Sequence, residues 1–138
     1  MVTATATLKR MYIDGKWCAA DSGRTLAVIN PANEEVLSEI AYGGRMETRR
    51  ALEAAQRAMV SWMKLTSWDR AKVLKKTSDL MRERADAIAR TLTLEQGKPL
   101  PEAKAEVLHS ADTFEWFGEE GKRAYGQVIP HSSREKGT

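Results

Sequence analysis

The hydrophobic period of this chain changes once, at Gly43-Gly44, and that change limits the folds open to it. Ahead of the glycine pair, apolar and β-branched residues come in short runs separated by turn residues. Behind it, they recur about every 3.6 positions for roughly eighty residues, the repeat of an amphipathic helix. A short β-rich start followed by packed helices satisfies both patterns.

Within the first section, Met11-Tyr12-Ile13, Asp14-Gly15 and Lys16-Trp17-Cys18 read as two strands joined by an Asp-Gly hairpin turn. Asp21-Ser22-Gly23 marks another turn. Thr25 to Asn30 is β-branched and apolar, Pro31-Ala32-Asn33 interrupts it, and Val36 to Tyr42 resumes as a strand. Two or three short strands are therefore expected over 11–42. Residues 1–10, rich in Thr and Ala, read as a flexible N-terminus.

Three helices are expected after the glycine pair, over 46–64, 67–96 and 100–125. The first carries Leu52, Ala55, Met59 and Trp62 as one stripe. Thr66-Ser67-Trp68-Asp69 has the form of a capping box and opens the second, whose stripe is Leu74, Thr77, Met81, Ala85, Ile88 and Leu92. Gly97 suits a left-handed C-terminal cap, Pro99 prevents simple continuation, and Pro101 with Glu102 suits the first turn of the third helix. The third stripe is Ala103, Val107, Ala111, Phe114, Phe117 and Gly121. Val128-Ile129 reads as the start of a further strand, and 131–138 as a polar tail, so the folded segment is expected over 11–130. Three small strands offer little sheet for such helices to cover, and some apolar surface should face a partner outside this sequence.

Composition narrows the function. At 138 residues, the chain has the length of one domain, and 42% hydrophobic with 30% charged residues is a soluble balance. No apolar run reaches the roughly 18–20 residues of a membrane span, and the N-terminus lacks a signal-peptide core; a cytoplasmic protein is the expectation. The net charge of +3 is spread among acidic neighbours, with no basic stripe for nucleic acid. One cysteine excludes an internal disulfide.

Chemistry is thin. Cys18 sits in an expected strand beside Trp17, the setting of a small buried or half-buried apolar residue and not of an activated thiol. His109 and His131 have no zinc-ligand spacing, and Gly43-Gly44 lacks the third glycine and the acidic residue of a dinucleotide loop. No catalytic and no cofactor-binding residue can be assigned from residue chemistry. One carboxylate, Glu95, stands just ahead of the Gly97–Pro101 break, where it could meet solvent or pair with Lys98.

Four stretches taken together resemble a known family. "YIDGKW" (12–17), "NPANEEVL" (30–37), "TLEQGKPLPEAKAEV" (93–107) and "FEWFGEEGKRAYGQVIP" (114–130) are similar to the N-terminal part of the NAD(P)-dependent aldehyde dehydrogenase superfamily. "LEQGKP" followed by "EWF" and "EEGKR" looks most like the succinate-semialdehyde dehydrogenases. The resemblance implies an α/β family fold, of which this chain covers a β-rich N-terminal section and three helices of the cofactor-domain region. It implies oxidation of an aldehyde through a thiohemiacetal on cysteine, with hydride passing to NAD or NADP. It also implies that the catalytic cysteine, its glutamate, the oxyanion-site Asn, the dinucleotide-binding residues and the oligomerisation strand lie in a remainder of the enzyme that would be this chain's partner, within a homo-oligomer. The chain alone is then expected to bind no cofactor and oxidise no aldehyde. The other reading open is a stand-alone, non-catalytic helical interaction module derived from that family.

The resemblance further implies a Na+ or K+ site formed by the Glu95 carboxylate with the Val28 and Ile29 carbonyls, and a place for His109 near the substrate entrance. The family often has Asp where this chain has Glu95. It usually has Gly where this chain has Glu34, from which a distorted turn is expected. An apolar residue is common in place of Cys18.

Overall fold

The computed structural model describes residues 8–126; the expected strand at Val128-Ile129, the polar tail and His131 lie outside the described residues. Five short strands come first, four of them within 11–42 where two or three were expected: β1 Leu8–Lys9, β2 Met11–Ile13, β3 Lys16–Cys18, β4 Thr25–Ile29 and β5 Val36–Ala41. Four helices follow: α1 Arg45–Lys64, α2 Ser67–Glu83, α3 Ala85–Gln96 and α4 Leu100–Glu120, with a 3-10 turn over Gly121–Arg123.

β2 and β3 form the hairpin that Asp14-Gly15 announces. Both turn residues take positive φ, 52° and 75°, as a two-residue turn matched to strand twist requires. Tyr12 pairs with Trp17 across it, their ring centroids 5.1 Å apart. The other sheet has the order β1-β5-β4, with β4 antiparallel to β5 and β1 parallel to it, and an irregularity at Val28/Ile29. Leu8 and Lys9, within the stretch read as a flexible N-terminus, pair with Glu39 and Ile40 of β5.

The turn between β4 and β5 is built on buried Asn30. Its side-chain oxygen accepts the Ala32 N–H at 3.0 Å, its carbonyl accepts the Glu34 N–H at 2.8 Å, and its own N–H donates to the Glu35 carbonyl at 2.9 Å. Glu34 adopts φ 61°, the left-handed geometry that glycine takes without strain. The turn is intact with Glu in place, its strain held in one residue.

One helix was expected over 67–96, and the structure has two. The chain turns at Arg84 (φ −102°, ψ 12°), which ends α2 and begins α3. No Gly or Pro lies there; both α2 and α3 pack on α4, and tertiary packing bends a locally helical sequence. Thr66 caps α2 by accepting the Asp69 N–H at 3.1 Å, while the Asp69 carboxylate takes the Thr66 hydroxyl at 2.8 Å.

The core is made of small residues. Ala20, Ala71, Ala85, Ala89, Ala103, Val107 and Ala111 are the buried hydrophobics among the described residues. Ala85, Ala89, Ala103 and Val107 form one cluster, with Leu92 and Leu108 partly buried against it. The buried line of α4 therefore runs Ala103, Val107, Ala111, Gly118. Phe114 and Phe117, expected on that stripe, are 39% and 62% exposed. Ile88 of the second stripe is likewise exposed at 38%.

Candidate functional site

Two segments far apart in sequence meet at the α3–α4 joint. α3 ends at Gly97 in the left-handed conformation (φ 74°), its N–H donating to the Thr93 carbonyl at 2.8 Å. A Cβ at 97 would stand 3.0 Å from Pro31 Cγ, so the joint lies against the β4–β5 turn. Val28 and Ile29 immediately precede that turn, which places the end of β4 beside the segment carrying Glu95. Glu95 is exposed, Val28 half-buried and Ile29 exposed. Lys98 pairs with Glu106 on α4 in place of the Glu95 pairing open from sequence.

The other candidates stand apart from one another. His109 is exposed on α4, its carbonyl accepting the Thr113 hydroxyl at 3.0 Å. Cys18 is half-buried, with its thiol on the Met11 carbonyl at 3.6 Å. Among the described residues no group of three or more His, Cys, Asp or Glu side chains is placed to hold a metal ion.

A polar cluster at the start of α1 was not singled out from sequence. Glu47 is buried and accepts the Gly44 N–H at 2.8 Å and the Asp21 N–H at 2.7 Å. Arg50 grips Asp21 at 2.6 and 2.9 Å and lies 3.9 Å from Glu47. The backbone N–H groups of Asp21 and then Gly44 and Glu47 itself hold the Glu47 carboxyl below the usual carboxylate range. The Arg50 guanidinium does the same for Asp21. The signal in the sequence was Glu three residues after a glycine N-cap, the third position of a capping box. A second cluster joins α2 to α4: Arg82 binds Asp112 and Glu115, each at 2.7 Å, and Lys75 binds Asp79 at 3.0 Å and Glu115 at 3.1 Å.

A further feature is apolar and open. On α1, Leu52, Met59, Val60 and Met63 are each more than half exposed. Ala55, Ala58, Met59, Ser61, Trp62 and Leu65 line a shallow trough along it. Small residues at 55, 58 and 61 leave a groove between larger neighbours, the form into which another helix packs. Trp116 and Phe117 continue exposed apolar surface on α4. Among the described residues the buried apolar side chains are alanines and one valine, while Trp17, Trp68, Trp116, Met46, Met59 and Met63 are each more than half exposed, an apolar surface of the kind that partners cover.

Residues 17–138 match the Aldehyde dehydrogenase family. Over 128 residues the chain is 48% identical to the glutarate-semialdehyde dehydrogenase of Pseudomonas aeruginosa, a match covering 93% of this chain and 26% of that enzyme. It is 47% identical over 128 residues to the succinate-semialdehyde dehydrogenase (NADP(+)) of Escherichia coli, covering 93% and 27%. The crystal structure of an E. coli NADP dependent enzyme superposes with a TM-score of 0.89 at 44% identity, covering 93% of this chain and 27% of that one. The chain belongs to the aldehyde dehydrogenase family. It corresponds to an N-terminal section, is similar to semialdehyde dehydrogenases in particular, and spans about a quarter of the length of the relatives it matches.

Proposed function

We propose that this chain is the N-terminal section of a semialdehyde dehydrogenase, which in complete form oxidises an acid-bearing aldehyde, succinate semialdehyde or a near homologue, to the carboxylic acid. The observation that carries this reading is the uncovered apolar face of α1 on a chain that superposes on a quarter of a complete enzyme. Its own residues act as scaffold. The trough on α1 takes up the remainder of the enzyme, the Arg82 and Lys75 pairs hold α2 to α4, and no catalytic residue is assigned to it. NAD or NADP, held by the remainder, accepts the hydride. Within the same reading, Glu95 with the Val28 and Ile29 carbonyls binds Na+ or K+, and His109 lies toward the substrate entrance. The whole enzyme is a homo-oligomer.

A chimera tests this. This chain replaces the matching N-terminal section of the E. coli succinate-semialdehyde dehydrogenase, and NADPH formation from succinate semialdehyde is followed. Activity within about tenfold of the parent is expected, with none from the 138-residue chain by itself. A chimera that assembles and binds NADP+ yet oxidises nothing would overturn the reading, and so would aldehyde oxidation by the isolated chain. The stand-alone module reading predicts that inactive chimera.

A further inference from the structure

We propose that Glu47 is a charge-dependent latch that fixes α1 to the turn after β3, so that neutralising this one carboxylate frees α1 from the strands while the α2–α3–α4 packing stays intact. The geometry supports a latch more than ordinary packing. Glu47 has one oxygen on the Gly44 N–H at its own helix start and the other on the Asp21 N–H, twenty-six residues away. It is 5% exposed, the one buried carboxylate among the described residues. The other polar ties from α1 to this region are Arg57 on Asp14 at 3.0 Å and Arg50 on Asp21, exposed pairs that solvent screens, while Leu52, Met59, Val60 and Met63 of α1 stay open. Its touch on β2 is slight, and the well-packed interfaces of the helical part are α2 with α4 and α3 with α4.

The surroundings of the latch are closely set. A Cβ at Gly43 would come within 2.5 Å of the Met11 sulfur and 3.4 Å of the Glu47 Cβ, so bare backbone at 43 lets Met11 close over the carboxylate's stem. Two charged groups face Glu47. Asp21, from the turn after β3, repels it, and Arg50, one turn along α1, offsets that repulsion while binding Asp21 itself. On β3, Cys18 pairs with Met11 and its thiol donates to the Met11 carbonyl. A neutral carboxyl cannot serve both N–H groups as a carboxylate does, because one of its oxygens then carries a proton. A group whose folded-state titration is depressed stabilises the contact above its ordinary range and loses that contribution as pH falls through the lower folded value. The latch is therefore closed at neutral pH and opens on the acid side of the usual glutamate range.

The test is residue-level NMR on the 138-residue chain. In the wild-type protein, the Asp21 and Gly44 amide signals should titrate together, with one midpoint below that of an ordinary glutamate. In Glu47→Gln at neutral pH, amide exchange at Asp21 and Gly44 should speed up about tenfold or more, while the amides of 103–111 on α4 keep their protection. Separate midpoints for the two amides, or unchanged exchange at Asp21 in Glu47→Gln, would overturn the proposal. Loss of protection throughout α4 in Glu47→Gln would overturn it as well, because the latch would then be part of the global core.

Discussion

Gly118 on α4 lies directly against Leu74 on α2: a Cβ at 118 would sit 3.4 Å from the Leu74 Cβ and 3.5 Å from the Ala71 carbonyl oxygen. The two helices approach to the distance that a methyl group just fills. Gly118→Ala should therefore be tolerated or stabilising by up to about 1 kcal/mol, from helix propensity. Gly118→Leu should destabilise by about 1–3 kcal/mol by forcing the helices apart. Urea unfolding of both variants checks this. Equal effects of the two would show that the approach is looser than described.

Glu34 holds φ 61° in an otherwise well-bonded turn. Left-handed backbone costs an L-residue roughly 1–2 kcal/mol, and glycine gives back about 0.5–1 kcal/mol as unfolded-state entropy. Glu34→Gly should raise stability by about 0.5–1 kcal/mol, readable as a higher urea midpoint at unchanged slope.

Thr66→Ala removes the hydroxyl that accepts the Asp69 N–H at 3.1 Å. Loss of an N-cap of this type costs about 1 kcal/mol. Thr66→Ser should restore most of it, and thermal melts of the pair measure the difference.

Much of the fold was legible because local chemistry and final structure agree. Asp14-Gly15 demanded its turn, Gly97 its cap, and Gly43-Gly44 marked the change of period. The break at Arg84 was not legible. Arg-Glu-Arg-Ala is a good helical sequence, and what bends it is the need of α2 and α3 both to lie on α4. Phe114 and Phe117 lie on the stripe of the third helix by period yet stand exposed, because helical spacing alone does not say which part of a stripe the chain's own core covers. The cation role of Glu95, Val28 and Ile29 and the entrance role of His109 came from resemblance alone; periodicity marks the joint but says nothing about what it binds. Glu47 was missed because a charged residue on the first turn of a helix ordinarily faces water.

The bridge between α2 and α4 should weaken in acid. The Arg82 and then the Lys75 cations hold the Glu115 carboxyl below the usual carboxylate range. The pairing is thus fully present above the ordinary glutamate range and is lost as pH falls through the depressed value. The groups are half exposed, so solvent screens the effect and it stays modest. Melting temperatures across pH 7 to 3 should fall less steeply in Glu115→Gln than in the wild-type chain, with the two curves converging at the acid end. Parallel curves would show that the pairs carry no pH-dependent stability.

The central claim is that the open apolar faces of this chain belong against the rest of an enzyme. Size-exclusion chromatography of the isolated chain, read together with the fluorescence of a dye for exposed apolar surface, tests it most directly. The account predicts self-association or strong dye binding, reduced by Met59→Glu in the α1 trough and absent in the chimera, where the trough is covered. A sharp monomer peak with no dye signal from the isolated chain would contradict it.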